Sequence, residues 1–308
     1  MGIIKKGLYN ILRKVPYVNK LEQRVQYLEQ ECCFPPGHYY SAIVNPMEYL
    51  EQQELVYAYP SYIPPEIKFN EKEQLELLTH FEKYYEELPF QTTPVPGLRY
   101  YFNNMFFTYS DAITMYCMVR NFKPKHIIEI GSGFSSALLM DTNDMFFKNK
   151  IELTFVDPNP ERLISSLKKD EKVNLIKDKI QHVNIEIFDK LKEGDFLLID
   201  TSHVGKSGSD VNYIYFNILP RLAKGVKIHI HDIFFPFEYP VKWIVEERRS
   251  WNEIFLLRAF LAYNVSFKII FFNSFLEERH REVYKRGMDL FLKRNDTVCG
   301  GIWLEKIN

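Results

Sequence analysis

Residues 127–142, which read IIEIGSGFSSALLMDT, have the types and spacing of a site that binds a ligand through the main chain. An apolar run predicts a strand, which leads into Gly131, Ser132 and Gly133 and then into a predicted helix. Because glycine has no Cβ, a ligand can approach the backbone there and meet the free N–H groups at the start of the helix. This pattern indicates a site for a nucleotide-type cofactor.

Two kinds of nucleotide cofactor compete for this turn. A dinucleotide site requires a glycine or alanine three residues after the second glycine, and here that position is Ser136. Glu129 would repel a pyrophosphate but suits the ammonium group of an amino acid. A second apolar run, IELTFVD, ends at Asp157, whose carboxylate can accept hydrogen bonds from both hydroxyls of a ribose. A ribose and an amino acid without a diphosphate describe S-adenosylmethionine, and a turn without a ligand is the remaining alternative.

Three runs of the chain carry a resemblance to a known family: EIGSGFSSALLMDT, FVDPNPERL and FLLIDTSHVGKSGSDVNYIYFNILPRLAKGVKIHIHDIFFPFEYP. From Pro35 to the C-terminus the sequence resembles the class I S-adenosylmethionine-dependent methyltransferases, and within them a bacterial group that acts on small molecules or sugars. The resemblance implies an α/β, Rossmann-like fold. Its sheet would be mostly parallel and seven-stranded, with an antiparallel last strand and an N-terminal cap of helices and loops.

Alternating strand and helix signals independently predict a parallel sheet with right-handed crossovers. Open sheets of this kind bind ligands beyond the carboxyl ends of their strands, so those ends are where site residues are expected. The predicted strands are residues 126–131, 152–157, 173–178, 195–200, 226–231, 267–273 and 302–306, and a charged helix is predicted near 275–293.

Cofactor contacts are expected at the ends of the first four strands. Asp178 or Gln181 can hydrogen-bond the adenine amino group, and Ile180 can pack on its ring. The resemblance implies that Tyr109 and Asp111, at the start of the helix before the first strand, approach the methionine end of the cofactor. The expected cofactor-binding residues are Tyr109, Glu129, Gly131, Ser132, Gly133, Ser135, Asp157, Asp178, Gln181 and Asp200.

Acids and imidazoles end the fourth and fifth strands, in the runs Asp-Thr-Ser-His and His-Ile-His-Asp. A hydroxyl acceptor has a high pKa, so its methylation requires a general base or a cation that stabilises the alkoxide. His203 is the expected base because an unperturbed histidine accepts a proton near neutrality; a structural histidine is the alternative. His231 can orient Asp232 or the acceptor. The expected catalytic set is Asp200, His203, His231 and Asp232.

A divalent metal is the alternative to a base. Related metal-dependent O-methyltransferases carry carboxylates at comparable strand ends, which implies Asp200 and Asp232 as ligands. His231 stands where a second oxygen ligand is more usual, and imidazole is a poor ligand for magnesium. A softer ion, or no metal, is therefore favoured over magnesium.

The N-terminal part of the chain divides into two predicted segments before the catalytic domain at 109–308. Residues 1–33 include GIIKKGLYNILRKV, a basic amphipathic pattern that fits contact with a membrane surface or a partner, or an ordinary packed helix. Pro16 ends this pattern. Residues 34–108 are rich in Pro and Tyr around one helical stripe, which predicts a cap or lid over the acceptor site, with a purely structural extension as the alternative.

Composition limits the class of protein. The net charge is −1, so the composition does not indicate binding to a nucleic acid. The four cysteines lack the spacing of zinc ligands: Cys32, Cys33, Cys117 and Cys299. We expect a reduced, cytoplasmic protein without a signal peptide or spanning helix, peripheral at a membrane if the N-terminal helix binds one. The 25 Phe and 20 Tyr can line a pocket or a homo-oligomer surface as well as the core.

These observations together predict an S-adenosylmethionine-dependent O-methyltransferase. Its acceptor is expected to be a small molecule, foremost a sugar or glycan-precursor hydroxyl, which the resemblance supports. A scaffold that binds the cofactor without catalysis and a nicotinamide-dependent oxidoreductase are the alternatives.

Overall fold

The computed structural model describes residues 12, 15–31, 33–57, 63–286, 288–293 and 300–308. The chain forms two compact units. The described residues up to position 57, with Val241–Ser250, belong to the first, which we call the N-terminal unit. The rest, up to Pro240 and then Trp251–Asn308, form the second, which we call the sheet unit. The three segments predicted from the sequence are functional divisions and stay predictions.

Several 3₁₀ and π segments lie between the helices and strands of the sheet unit. The N-terminal unit contains α1, α2 and α8, and the sheet unit contains the others. The α-helices are α1 Pro16–Glu31, α2 Pro46–Tyr57, α3 Glu71–Tyr85, α4 Tyr109–Phe122, α5 Phe134–Thr142, α6 Glu161–Ser166, α7 Asp210–Tyr213, α8 Val241–Val245, α9 Glu253–Leu261, α10 Asn273–Arg279 and α11 Arg281–Tyr284.

The sheet unit is built on a seven-stranded sheet of order β3-β2-β1-β4-β5-β7-β6. β7 runs antiparallel to both β5 and β6, and the other pairs are parallel. This confirms the predicted fold and the antiparallel last strand. The strands are β1 His126–Ile130, β2 Glu152–Val156, β3 Asn174–Ile176, β4 Phe196–Ile199, β5 Lys227–His231, β6 Phe267–Phe272 and β7 Gly301–Lys306.

β4, which reads FLLI, is apolar without alternation, as expected for a strand with both faces covered, whereas β5, which reads KIHIH, alternates polar and apolar residues. Every residue of β4 and β5 is buried. Register then aligns the strand ends: Ile130 of β1 lies opposite Val156 of β2 and Ile199 of β4. Ile199 in turn lies opposite Ile230 of β5. The residues that follow these strands therefore meet at one edge of the sheet.

Two local predictions are wrong. The charged helix expected near 275–293 is divided into α10, α11 and a 3₁₀ turn at Asp289–Leu292, because His280 leaves helical geometry at φ −134°. By its residue type Ser110 would be expected to cap the start of α4, but the N-cap is Thr108 and Ser110 is buried inside the first turn. The basic pattern at residues 1–14 lies almost entirely outside the described residues. Within the described part of the chain, no helix is both long and apolar enough to cross a membrane.

Candidate active site

The glycine turn after β1 is pressed against the end of β4. Gly131 has a φ of +82°, and a Cβ at this position would lie 1.7 Å from the backbone oxygen of Asp200. The amide of Asp200 donates to the carbonyl of Ile130 at 2.9 Å, and the amide of Gly131 donates to Val156 at the same distance. Positive φ and lack of space both require glycine here. The turn thereby fixes where Asp200 leaves the sheet.

Ser136 explains why this turn departs from the dinucleotide pattern. Its hydroxyl accepts a hydrogen bond from the amide of Gly133 at 2.9 Å and donates to the carboxyl of Glu129. A glycine or alanine at this position could not make either bond. On the other side of the turn, the amide and hydroxyl of Ser132 both donate to Asp157 Oδ2 at 2.8 Å. Hydrogen bonds thus link the turn to both Glu129 and Asp157, the acids expected to contact the ammonium group and the ribose.

Glu129 is held as a neutral carboxylic acid. Its side chain is buried, and burial raises its pKa to about 8, although hydrogen bonds from Ser135 and Ser136 oppose the shift. The negative charges of Asp200 and Asp157 raise the pKa further. A buried acid in this state gains its charge when a cation approaches, as the ammonium group of an amino acid would.

An open cleft of about 520 Å³ lies at the carboxyl ends of β1, β2 and β4. That volume is within the range of small-molecule and cofactor sites. Polar residues line much of it, including four of the predicted cofactor contacts. Residues on its wall include Gly131, Asp157, Ile180, Gln181, Asp200 and Asp210.

A much smaller cavity adjoins the same turn on the side of β5. It is lined by Glu129, Ser135, Asp200 and His231, together with His229. Asp200 contributes to both spaces, so the cleft and the cavity meet at the end of β4. Most of the predicted cofactor residues are therefore brought together around one carboxylate.

Four predicted cofactor contacts line neither the cleft nor the cavity: Ser132 and Gly133, which belong to the turn itself, and Tyr109 and Asp178. Tyr109 is fully buried, and its ring stacks on Phe102 with centroids 5.1 Å apart. Asp178 is exposed and accepts hydrogen bonds from His182 Nδ1 at 2.9 Å and from the amide of Lys179 at 2.7 Å. Neither side chain is on the cleft wall formed by the described residues. Aromatic packing accounts for the first position and a local surface turn for the second.

The predicted catalytic residues form a cluster centred on His203. Nε2 of His203 is 3.2 Å from Asp200 Oδ1 and 3.5 Å from Asp232 Oδ2. His203 and Asp232 both have left-handed backbone conformations, with φ of +57° and +55°. Non-glycine residues held in this conformation cluster at functional sites. Here the conformation aims two side chains from different loops at the same point.

Glu253, at the start of α9, was missed by the sequence analysis. Its buried carboxylate accepts a hydrogen bond from His203 Nδ1 at 2.9 Å, across fifty positions of sequence. The amides of Asn252 and Glu253 donate to the His203 carbonyl at 3.0 and 3.1 Å. Trp251 covers the imidazole at a centroid distance of 4.3 Å. The one available signal was an acidic residue in the first turn of an otherwise apolar helix.

The pKa of His203 differs from the unperturbed value on which its expected role as a base rested. Burial alone would lower the pKa, but hydrogen bonds to Asp200 and Glu253 and the charge of Asp232 raise it well above 6.5. The ligand-free cluster therefore holds a cation between its carboxylates, as a proton on His203. Glu253 fixes Nδ1, so Nε2 is the atom that faces Asp200 and Asp232.

His231 lies beside Asp232, with its Nε2 4.0 Å from Asp232 Oδ1. Its Nδ1 donates to the carbonyl of Gly300 at 2.9 Å, and its Nε2 lies 3.4 Å from the carbonyl of Phe106. Burial would lower its pKa, but the charges of Asp232 and Asp200 raise it to about 9. An imidazolium that donates from both nitrogens to carbonyl oxygens is not available as a metal ligand. It supplies positive charge beside the two aspartates.

Asp200, His203 and Asp232 also satisfy the geometry of a metal centre. Within the described residues, one atom from each of the three lies within 4.8 Å of the others. A histidine held by a buried carboxylate is the usual arrangement around a bound metal. Two oxygens and one imidazole nitrogen suit a transition metal such as Mn²⁺ better than Mg²⁺.

Comparison with known proteins agrees with the sheet and the turn. Residues 128–233 match a family model described as a methyltransferase domain. An uncharacterized protein from Archaeoglobus fulgidus is 34% identical over 164 residues, which are 52% of this chain and 74% of that protein.

Solved structures give weaker likenesses. The SAH-bound Podospora anserina methyltransferase PaMTH1 aligns with a TM-score of 0.41 at 14% identity, over 84% of this chain and 96% of that one. The O-methyltransferase TomG from Streptomyces achromogenes, in complex with SAM, aligns with a TM-score of 0.41 at 11% identity, over 79% and 92%. Likenesses at these scores carry no argument about what this chain binds.

Replacing Gly131 by alanine tests the contact between the turn and β4. We expect Gly131→Ala to lower the free energy of unfolding in urea by about 3 kcal/mol or more, because the new Cβ collides with the Asp200 backbone. Gly194→Ala is the matched control, since Gly194 has a φ of +88° and open space around it. That control should cost about 1 kcal/mol from backbone strain alone. Equal losses in the two variants would contradict the contact.

The neutral state of Glu129 has a signature in the pH dependence of stability. Between its ordinary pKa of 4.5 and about 8, the folded protein keeps a proton that the unfolded chain releases. The free energy of unfolding therefore falls as pH rises through this window. We expect Glu129→Gln to remove that component and to raise stability at pH 8 by roughly 1–3 kcal/mol. Thermal and urea unfolding at pH 5 and pH 8 measure it.

Glu152→Gln, at an exposed glutamate on the neighbouring strand, should leave the pH profile unchanged. A profile of Glu129→Gln that parallels the native one would show that Glu129 is ionised in the folded protein.

Proposed function

The chain belongs to the class I S-adenosylmethionine-dependent methyltransferases, and from this premise we propose that it methylates a hydroxyl group of a small molecule. The observation that carries the proposal is the double role of Asp200. This residue lines the cleft beside the glycine turn and lies 3.2 Å from His203 in the polar cluster. A methyl donor in the cleft and a hydroxyl held by the cluster would thus be neighbours.

The residues around the cleft fit the cofactor in chemistry. S-adenosylmethionine, when bound, supplies a methyl group on a sulfonium. Asp157 accepts two hydrogen bonds from Ser132 and one from Asn159, which leaves one of its about four acceptor positions for a ribose hydroxyl. Glu129 suits the ammonium group, and Ile180 and Gln181 suit the adenine. Ser136, by holding Glu129, occupies the position that a pyrophosphate site would leave to glycine.

The cluster around His203 is suited to handle the proton of the acceptor hydroxyl. Since Glu253 fixes Nδ1, only Nε2 faces the space near Asp200 and Asp232. Because Nε2 carries a proton in the ligand-free cluster, His203 can accept the hydroxyl proton only after that first proton has been released. The oxygen would then attack the methyl carbon while the bond from that carbon to sulfur breaks. Trp251 and the surrounding loop limit access of water to the ring. A sugar or glycan-precursor hydroxyl is the acceptor class we favour, on the sequence resemblance.

A metal-assisted version of the same reaction is the second candidate. The three ligand atoms of Asp200, His203 and Asp232 favour it. A divalent cation there would be held by two carboxylates and Nε2, and it would lower the pKa of a hydroxyl. In that case His203 is a ligand and not the base. Loss of turnover in EDTA and its recovery with Mn²⁺ would assign this version; indifference to EDTA would assign the other.

Asp157 and Asp178 give opposite expectations for cofactor binding. Asp157 lines the cleft, so Asp157→Asn should weaken S-adenosylhomocysteine binding at least about tenfold in calorimetric titration. Asp178→Asn is the matched control and should bind as the native protein does, because Asp178 is on the outer surface with His182. NAD⁺ should give no heat of binding. If both variants bind S-adenosylhomocysteine equally weakly, the assignment of Asp157 as a cofactor contact is contradicted.

His203 separates catalysis from binding. With tritiated methyl donor and a panel of methyl pyranosides as acceptors, His203→Ala should lose about a hundredfold or more of the turnover. Its affinity for S-adenosylhomocysteine should stay within about threefold, since His203 is not on the cleft wall. His182→Ala, at an exposed histidine, is the control. A His203→Ala protein with native turnover would favour a role without catalysis.

A further inference from the structure

The loop at residues 34–40, FPPGHYY, presents four aromatic rings on the surface of the N-terminal unit. We call Phe34, His38, Tyr39 and Tyr40 the aromatic cluster. Phe34 stacks on His38 with centroids 4.8 Å apart and planes at 10°, and Tyr40 lies 5.0 Å from Phe34 and 5.3 Å from Tyr39. The rings remain open to solvent: Tyr39 is 87% exposed and Tyr40 69%. Rings that contact each other while exposed form a surface, not a core.

Backbone bonds within the loop hold the cluster in place. Gly37 has a φ of +80°, and its amide donates to the Ile43 carbonyl at 3.1 Å. The amide of His38 donates to Pro35 at 3.1 Å, and the amide of Tyr40 donates to His38 Nδ1 at 3.1 Å. Because Nδ1 accepts this last bond, Nε2 is the nitrogen that carries a proton and can donate outward. A ligand would therefore meet rings that are already ordered, which reduces the entropy lost on binding.

Charge within the loop limits the kind of ligand. Residues 33–47, which include the whole aromatic cluster, contain no Asp, Glu, Lys or Arg. A phosphate group or another charged ligand would therefore find no ion-pair partner within the loop. A neutral ligand is the kind that this loop fits.

We propose that the aromatic cluster is a binding site for a neutral saccharide, separate from the cleft. The face of an aromatic ring is negative, so it attracts the polarised C–H groups on one face of a pyranose. The hydroxyls of Tyr39 and Tyr40 and the Nε2 of His38 are then placed to hydrogen-bond sugar hydroxyls at the ring edge. The site goes beyond methyl transfer, and it rests on the proposed function only for the expectation that the same protein meets sugars.

Ligand-observed NMR tests this with three neutral probes: maltohexaose, cellohexaose and mannohexaose. We expect at least one to receive saturation from the native protein. Tyr39→Ala/Tyr40→Ala should weaken that binding about tenfold or more, and Tyr39→Phe/Tyr40→Phe should keep most of it because the rings remain. Tyr263→Ala is the matched control, since Tyr263 is 86% exposed in the sheet unit.

Three results would overturn the proposal: no binding of any probe, binding that survives in the double alanine variant, or binding to phosphatidylcholine vesicles that this variant loses. The S-adenosylhomocysteine titration of the native protein is measured beside it. Saccharide binding without cofactor binding would refute the proposed function alone, and the reverse would refute the aromatic cluster alone.

Discussion

The site depends on one backbone contact, between the Cα of Gly131 and the carbonyl oxygen of Asp200. A Cβ at position 131 would lie 1.7 Å from that oxygen, so there is no room for a side chain between the turn after β1 and the end of β4. This contact places the turn that faces the cleft directly beside the carboxylate that faces the cluster. Without it, the cleft and the residues that could act on an acceptor would be separate features.

The charges around the buried imidazole of His203 are the second constraint on the molecule. Asp200, Asp232 and Glu253 surround one imidazole, and carboxylates this close require a cation among them. A proton on His203 meets that need in the ligand-free protein, and a metal ion would meet it equally well at Nε2. Glu129 instead avoids a buried negative charge by remaining protonated. The cluster around His203 is thus suited to bind a proton or a metal ion, whereas Glu129 is suited to bind an ammonium group.

Features set by residues close together in the sequence could be predicted, whereas those set by contacts between distant residues could not. The strands and their carboxyl ends follow from local apolar runs, and these runs place Gly131, Asp157 and Asp200 at the edge of the sheet where the cleft lies. Glu253 was not predicted, because its contact with His203 spans fifty positions and no local pattern marks it. Tyr109 and Asp178 fit a general pattern of the fold, but packing on Phe102 and a surface turn determine where they lie. The perturbed pKa of His203 likewise requires knowledge of its three neighbours.

Calorimetric titration of the native protein with S-adenosylhomocysteine tests the central claim most directly, because the demethylated product binds without needing an acceptor. A cleft bounded by Gly131, Asp157 and Asp200 predicts saturable binding at one site per chain. Absence of any heat from protein shown to be folded by circular dichroism would contradict the account.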